Sequence, residues 1–185
     1  PELIAKLLAD SDVHEKADIL LIGDRHLFEM GQTQAGTETE MVACDANKGD
    51  WTDISGLAIH ERETIAADDV RLAEVTYANG HSALSNLNCA LEMARDGIID
   101  AITFGPFNKA ALIEAGLGHE DELHHMAEFL GVEGYISELN TLNGIWTSRV
   151  SSHIALKDVA SYITEHRITE AVYLIDRTLR RSGLS

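Results

Sequence analysis

The stretch Asp100–His119, DAITFGPFNKAALIEAGLGH, constrains the fold of this chain more than any other. AITF is an apolar run long enough for one buried strand. Gly105-Pro106 then breaks the chain, because Pro106 has no N–H to continue a strand ladder. Asn108 is placed as an N-cap, and KAALIEAG reads as a short helix ended by Gly116. Strand, sharp turn and helix start make a corner of the kind found at the carboxyl end of a strand in open α/β sheets, where ligands collect. The unpaired N–H groups of a helix start favour an anion there, and Lys109 adds a positive charge. His119 comes three residues after Gly116, on a loop leading into the next helix.

The rest of the chain repeats the helix–strand alternation that makes an α/β fold. Glu2–Ala9 reads as a short amphipathic helix with Leu3, Ile4, Leu7 and Leu8 on one side. DILLIG, Asp18–Gly23, is a buried strand of the continuous apolar kind expected in a parallel sheet. A helix is expected over Arg25–Gly31. The turn GDRH between strand and helix is not a G-x-G-x-x-G phosphate loop. Residues 32–75 are harder to read: QTQAGTETE is turn-like, MVACDA a strand, and NKGDWTD a loop. The acidic pairs Glu61/Glu63 and Asp68/Asp69 read as a solvated face. Asn79-Gly80-His81-Ser82 signals a helix start with Ser82 as its cap, and the helix runs to Arg95 with Leu84, Leu87, Leu91 and Ala94 inward. HEDELHHMAEFLG forms the next helix, ended by Gly131. Tyr135–Leu139 and Trp146–Ser152 are expected strands about a turn at Asn140–Gly144. Helices over Lys157–Ile163 and Ile168–Arg181 close the chain.

Charge and cysteine content narrow the partners. The 185 residues carry a formal net charge of −17, which repels nucleic acid and anionic membranes. An anionic substrate therefore needs a local positive pocket. No apolar run approaches the ~20 residues needed to cross a bilayer. Cys44 and Cys89 make no disulfide framework, so a reducing cytoplasm is expected, with both thiols acting as small buried hydrophobes. HEDELHH is not the H-E-x-x-H zinc motif, because Leu123 stands where the second histidine belongs. His124 and His125 read as helix-surface residues, and His14, His26, His60, His81 and His166 show no ligand spacing. Both ends of the chain read as cut: it opens inside a motif and stops just after a helix.

Three blocks carry a family resemblance. Thr103, Pro106, Asn108 and Lys109 fit T-x-x-P-x-N-K, and Ala111, Leu112, Gly116, Gly118 and His119 continue the pattern. Ser151-Ser152-His153-Ile154-Ala155-Leu156 matches T-T-H-I-P-L, and Pro1-Glu2-Leu3-Ile4 matches the tail of G-I-G-P-E-L. In this order they resemble the 4-hydroxythreonine-4-phosphate dehydrogenase family of vitamin B6 biosynthesis and related dehydrogenases. The resemblance implies a three-layer α/β/α fold like that of isocitrate and isopropylmalate dehydrogenases, here incomplete. Residues 1–185 would form one partial α/β unit, with the family's interdomain cleft near residues 100–119. It implies oxidation of a secondary alcohol of a small anionic hydroxy acid, with possible decarboxylation. NAD or NADP would take the hydride, and a divalent metal (zinc, magnesium or manganese) would assist. It implies a homodimer of the full-length protein. His119, Glu120, Asn108 and Lys109 would meet substrate, and His153 would bind metal. The family's other two metal histidines lie in N-P-H-A-G and Y-H-D-Q-G segments that this sequence lacks, so the chain alone is expected to be inactive. Glu120 replaces a family threonine; a carboxylate about 4 Å from a substrate phosphate would repel it by roughly 4 kcal/mol at an effective dielectric near 20. The alternative reading is a non-catalytic fragment or degenerate α/β domain that binds a small anion or a partner chain.

Overall fold

The structure is a computed structural model that describes every residue of the chain except Asp50, Glu120, His153 and Ser185. It divides into two compact units, Pro1–Glu122 and Leu123–Ser185.

The first unit is built on a parallel sheet. Helices α1 (Glu2–Leu8) and α2 (Ser11–His14) lead into strand β1 (Leu20–Gly23), helix α3 (Arg25–Ala35) and strands β2 (Met41–Cys44) and β3 (Leu57–Glu61). The strand order is β1-β3-β2, with Leu21 and Ala43 both beside Ile59. Side chains alternate across the sheet. Leu21, Met41 and Leu57 pack on Ala5 and Leu8 of α1 and Phe28 of α3. Leu20 and Ile22 turn the other way, onto Cys89 and Met93 of helix α4 (Tyr77–Arg95). The unit is thus three layers, helix on sheet on helix.

The central strand, β3, lies where the sequence pattern marks no strand. Leu57, Ala58 and Ile59 are all buried, because β3 is covered on both faces and paired on both edges. The run Ala101–Phe104, expected as a strand, forms none. Its Phe104 is 39% exposed and stacks on Phe107, with centroids 4.8 Å apart. An apolar run becomes a strand only when a neighbour completes its ladder, and none does so among the described residues.

Several helix boundaries also move for packing reasons. In α1 the inward residues are Ala5 and Leu8, while Leu3 and Leu7 are exposed. Helix α3 runs through Gly31 to Ala35, because Gly31 lies against Pro1, whose backbone would sit 2.6 Å from an added Cβ. Helix α4 starts well before the expected Ser82 cap. Thr76 caps it, its hydroxyl accepting the Asn79 N–H at 3.1 Å. Gly80 lies inside the helix because helix α5 (Lys109–Glu114) crosses there: an added Cβ would stand 1.9 Å from the Ala111 carbonyl oxygen. What reads locally as a helix-start glycine is a helix-crossing glycine. The expected inward face of α4 is half right, since Leu87 and Leu91 are buried and Leu84 and Ala94 only partly so.

Helix α6 (Glu122–Phe129) opens at the unit boundary. The second unit continues with the antiparallel hairpin β4 (Asn140–Leu142) and β5 (Ile145–Thr147), then α7 (Val159–Tyr162) and α8 (Glu165–Arg181). Strand β4 falls inside the expected turn and β5 overlaps only the start of the second expected strand, because the turn is the two-residue pair Asn143-Gly144, both at positive φ. Asn-Gly is the pair that a tight hairpin prefers. Helix α8 is capped by Thr164, which accepts the Arg167 N–H at 3.3 Å. Ala171 is the one fully buried residue among those described in this unit.

Candidate functional site

The corner folds as its local sequence dictates. Asn108 caps α5, its Oδ1 accepting the Ala111 N–H at 3.2 Å. Lys109 opens the helix, and its Nζ lies 3.8 Å from Glu122 Oε2 at the start of α6. This ion pair brackets the loop that carries half-buried His119 and buried Asp121. At 3.8 Å the contact is electrostatic rather than a hydrogen bond, and Glu122 Oε2 is buried without any hydrogen-bond partner. Helix α5 has only six residues and Asn108 already occupies one of its first N–H groups, so attraction for an anion here rests on Lys109. Of the expected site residues, the fold thus brings Asn108 and Lys109 together at one helix start and ties that start to the far end of the His119 loop. Glu120 and His153 lie outside the described residues.

A second feature lies outside the motifs singled out in the sequence. Strands β1 and β3 are parallel, so their carboxyl ends share one edge of the sheet, the edge where α/β ligands bind. A cleft of about 560 Å³ opens there. Asp24, directly after β1, anchors its floor. Its carboxylate is 3% exposed and accepts the N–H groups of Thr64 at 2.8 Å and Ile65 at 3.3 Å, and the Thr64 hydroxyl. A carboxylate only accepts, so the Thr64 proton is spent on Asp24, and the Ser82 hydroxyl, 2.7 Å away, donates to Thr64. This network ties the end of β1, the loop after β3 and the first turns of α4 into one frame. The Arg62 N–H adds a bond to the Gly23 carbonyl at 3.0 Å, and Arg25 pairs with Glu61.

The cleft wall is polar and aromatic. Tyr77 and His81, one turn apart on α4, stack with centroids 5.7 Å apart. His26 also lines the cleft, and its Nε2 is buried without a hydrogen-bond partner. Spacing alone places both histidines on the surface. The signal that could have found this place is Gly23-Asp24 at the end of a buried strand and the start of a helix. Gly80 crosses α5 one residue before His81, so the cleft and the corner flank the same turn of α4.

Neither thiol is activated. Burial pushes Cys89 above its ordinary value, against a smaller opposing pull from Arg62, and burial also raises Cys44. Both are unbridged; burial is expected of both, but only Cys89 is fully buried, and Cys44 is partly exposed. Among the described residues no three His, Cys, Asp or Glu side chains gather into a metal site.

Comparison with known proteins adds a family and a fold. Residues 15–185 match the family model described as pyridoxal phosphate biosynthetic protein PdxA. The chain is 45% identical to the "Putative 4-hydroxythreonine-4-phosphate dehydrogenase 2" of Pseudomonas aeruginosa, covering 100% of this chain and 55% of that protein. It is 40% identical to the protein of the same name in Rhizobium meliloti, covering 99% and 53%. A crystal structure of a 4-hydroxythreonine-4-phosphate dehydrogenase from Burkholderia phymatum superposes with a TM-score of 0.82 at 24% identity, over 99% of this chain and 55% of that one. One from Klebsiella pneumoniae gives 0.84 at 22% identity, over 99% and 55%. The α/β fold is that of these structures, and the chain spans about half the length of the curated relatives it matches.

Proposed function

This chain belongs to the pyridoxal phosphate biosynthetic protein PdxA family, and from that premise we propose that the protein oxidises a secondary alcohol of a small, phosphorylated hydroxy acid. The names of its relatives support that substrate class: 4-hydroxythreonine-4-phosphate for one group and D-threonate 4-phosphate for another, 23% identical, in Clostridium botulinum. The observation that carries the reading is the Lys109 ammonium at the capped start of α5, in a protein otherwise strongly acidic.

Lys109 binds the substrate's phosphate, exchanging its loose contact with Glu122 for charge-assisted hydrogen bonds. Asn108 holds the helix start in place, so the ammonium is presented from a fixed backbone. His119 meets the substrate from the loop that the Lys109–Glu122 pair closes. NAD or NADP, when bound, accepts the hydride. The described residues do not by themselves make a seat for a divalent metal. The protein works in the cytoplasm as a homodimer on a small soluble anion. Its acidity supports the absence of nucleic-acid and membrane partners, and among the described residues no helix is long and apolar enough to cross a membrane.

The test is steady-state kinetics of the Lys109→Met variant on phosphorylated and unphosphorylated hydroxy acids, monitoring reduced nicotinamide. A charge-assisted contact of about 1.5–3 kcal/mol predicts a KM for the phosphorylated substrate raised roughly tenfold to a hundredfold, with the unphosphorylated substrate little changed. An unchanged KM removes Lys109 from the site. No reduced nicotinamide with any hydroxy acid, from the unaltered full-length protein, overturns the reaction itself.

A further inference from the structure

The Lys109 corner carries its own countercharge. Glu122 opens α6 with its side chain only 21% exposed, and its Oε2 is buried with no hydrogen-bond partner. Among the described residues its ion-pair partner is the Lys109 ammonium, 3.8 Å away. The exposed pairs Lys6–Glu2, Lys48–Asp45 and Arg180–Asp176 close to hydrogen-bonding distance, at 2.6, 2.6 and 2.8 Å. Lys109 and Glu122 do not, so the ammonium gives charge to the carboxylate without spending a donor on it. Lys109 is 46% exposed, and its donors are open to an incoming anion. The demands of that anion and of Glu122 conflict. An anion that draws the ammonium outward strips a buried carboxylate oxygen of its compensating charge. An anion that binds the ammonium where it stands lies close to a like charge.

We propose that Glu122 is a specificity-determining residue, whose carboxylate competes with the bound anion for Lys109. This rests on the reading of Lys109 as the anion seat and deepens it. The carboxylate weakens each anion at the corner in proportion to that anion's charge, because Coulomb repulsion scales with the product of the charges. It therefore narrows the preference for a doubly charged group over a singly charged one, and it keeps a phosphorylated ligand exchangeable. Glu122 does this from the first turn of α6 without contacting the ligand, since its Oε2 faces away from solvent.

The test is isothermal titration of the full-length protein with inorganic phosphate, at about pH 8 where it is mostly a dianion, and with methanesulfonate, a monoanion. Glu122→Gln keeps the shape and removes the charge, and should tighten phosphate roughly threefold to tenfold and methanesulfonate by less. Glu122→Met removes the same charge and should act in the same direction, so a folding defect in one variant leaves the other to decide. A merely structural role for Glu122 would not produce a gain that grows with ligand charge. Lys109→Met should weaken phosphate. If it does, and both Glu122 variants bind phosphate no more tightly than the unaltered protein, the competition is overturned while the Lys109 seat stands. An equal gain for the two anions overturns it as well. If Lys109→Met leaves phosphate binding unchanged, or the unaltered protein and the Glu122 variants all fail to bind phosphate, the Lys109 seat itself falls and the competition with it.

Discussion

Leu57–His60 and Ala101–Phe104 are four-residue runs of nearly the same character, LAIH and AITF. The first is the centre of the sheet, paired with β1 on one edge and β2 on the other, and its first three residues are buried. The second is irregular and largely exposed, with Phe104 held by its neighbour Phe107. Composition does not separate them. What separates them is whether other chain segments satisfy their backbone N–H and C=O groups and cover both their faces. The apolar run nearest the motif is the more persuasive strand in the sequence, and the one bordered by acidic residues became the core.

The largest test of that contrast is a matched pair of truncations. Ile59→Ala should cost about 2–5 kcal/mol in urea unfolding, as for a fully buried aliphatic side chain, and Phe104→Ala under about 1 kcal/mol. Hydrogen exchange should show protected amides in β3 and fast exchange over residues 101–104. Similar losses for the two variants would mean that the second run is packed as tightly as the first.

A smaller effect probes the segment immediately C-terminal to each run. The loop after β3 is pinned by Asp24, so Asp24→Ala strands the N–H groups of Thr64 and Ile65 and should cost about 1–3 kcal/mol. The segment after Phe104 is pinned chiefly by the Asn108 cap, and Asn108→Ala should cost about 1 kcal/mol. If the two losses came out reversed, the corner rather than the cleft would be the better-anchored end of the unit.

The smallest effect concerns the thiols on either side of this frame. Cys44 on β2 and Cys89 on α4 both have raised pKa values from burial, so less thiolate is present at a given pH. Reaction with a disulfide reagent at about pH 8, just under the ordinary thiol pKa, should be slow for both and slower for the fully buried Cys89. Rapid labelling of Cys89 would show that α4 lifts easily from the sheet.

The legible parts are those whose signals are local. DILLIG marks β1, Asn108 marks a cap, and Gly116 marks the end of α5, because a continuous apolar run, a capping side chain and a positive-φ glycine act within a few residues. Gly31 and Gly80 mislead for the opposite reason. Each looks like a boundary, yet each is small because another backbone crosses it, Pro1 in one case and Ala111 in the other. The hairpin is displaced from its expected strands, since Asn143-Gly144 sets its register and a window of apolar residues does not. The Asp24–Thr64–Ser82 frame joins residues far apart in the chain, and no spacing rule could reveal it.

From its sequence alone this protein's α/β class, family, acidic character and the Asn108–Lys109 helix start are determined, because each depends on residue identity or on contacts within one turn. The tertiary structure decided which run became the central strand, how closely α4 and α5 cross at Gly80, and that a cleft opens beside the corner. Those outcomes depend on which distant segments meet, and burial and backbone pairing are properties of that meeting rather than of any single stretch.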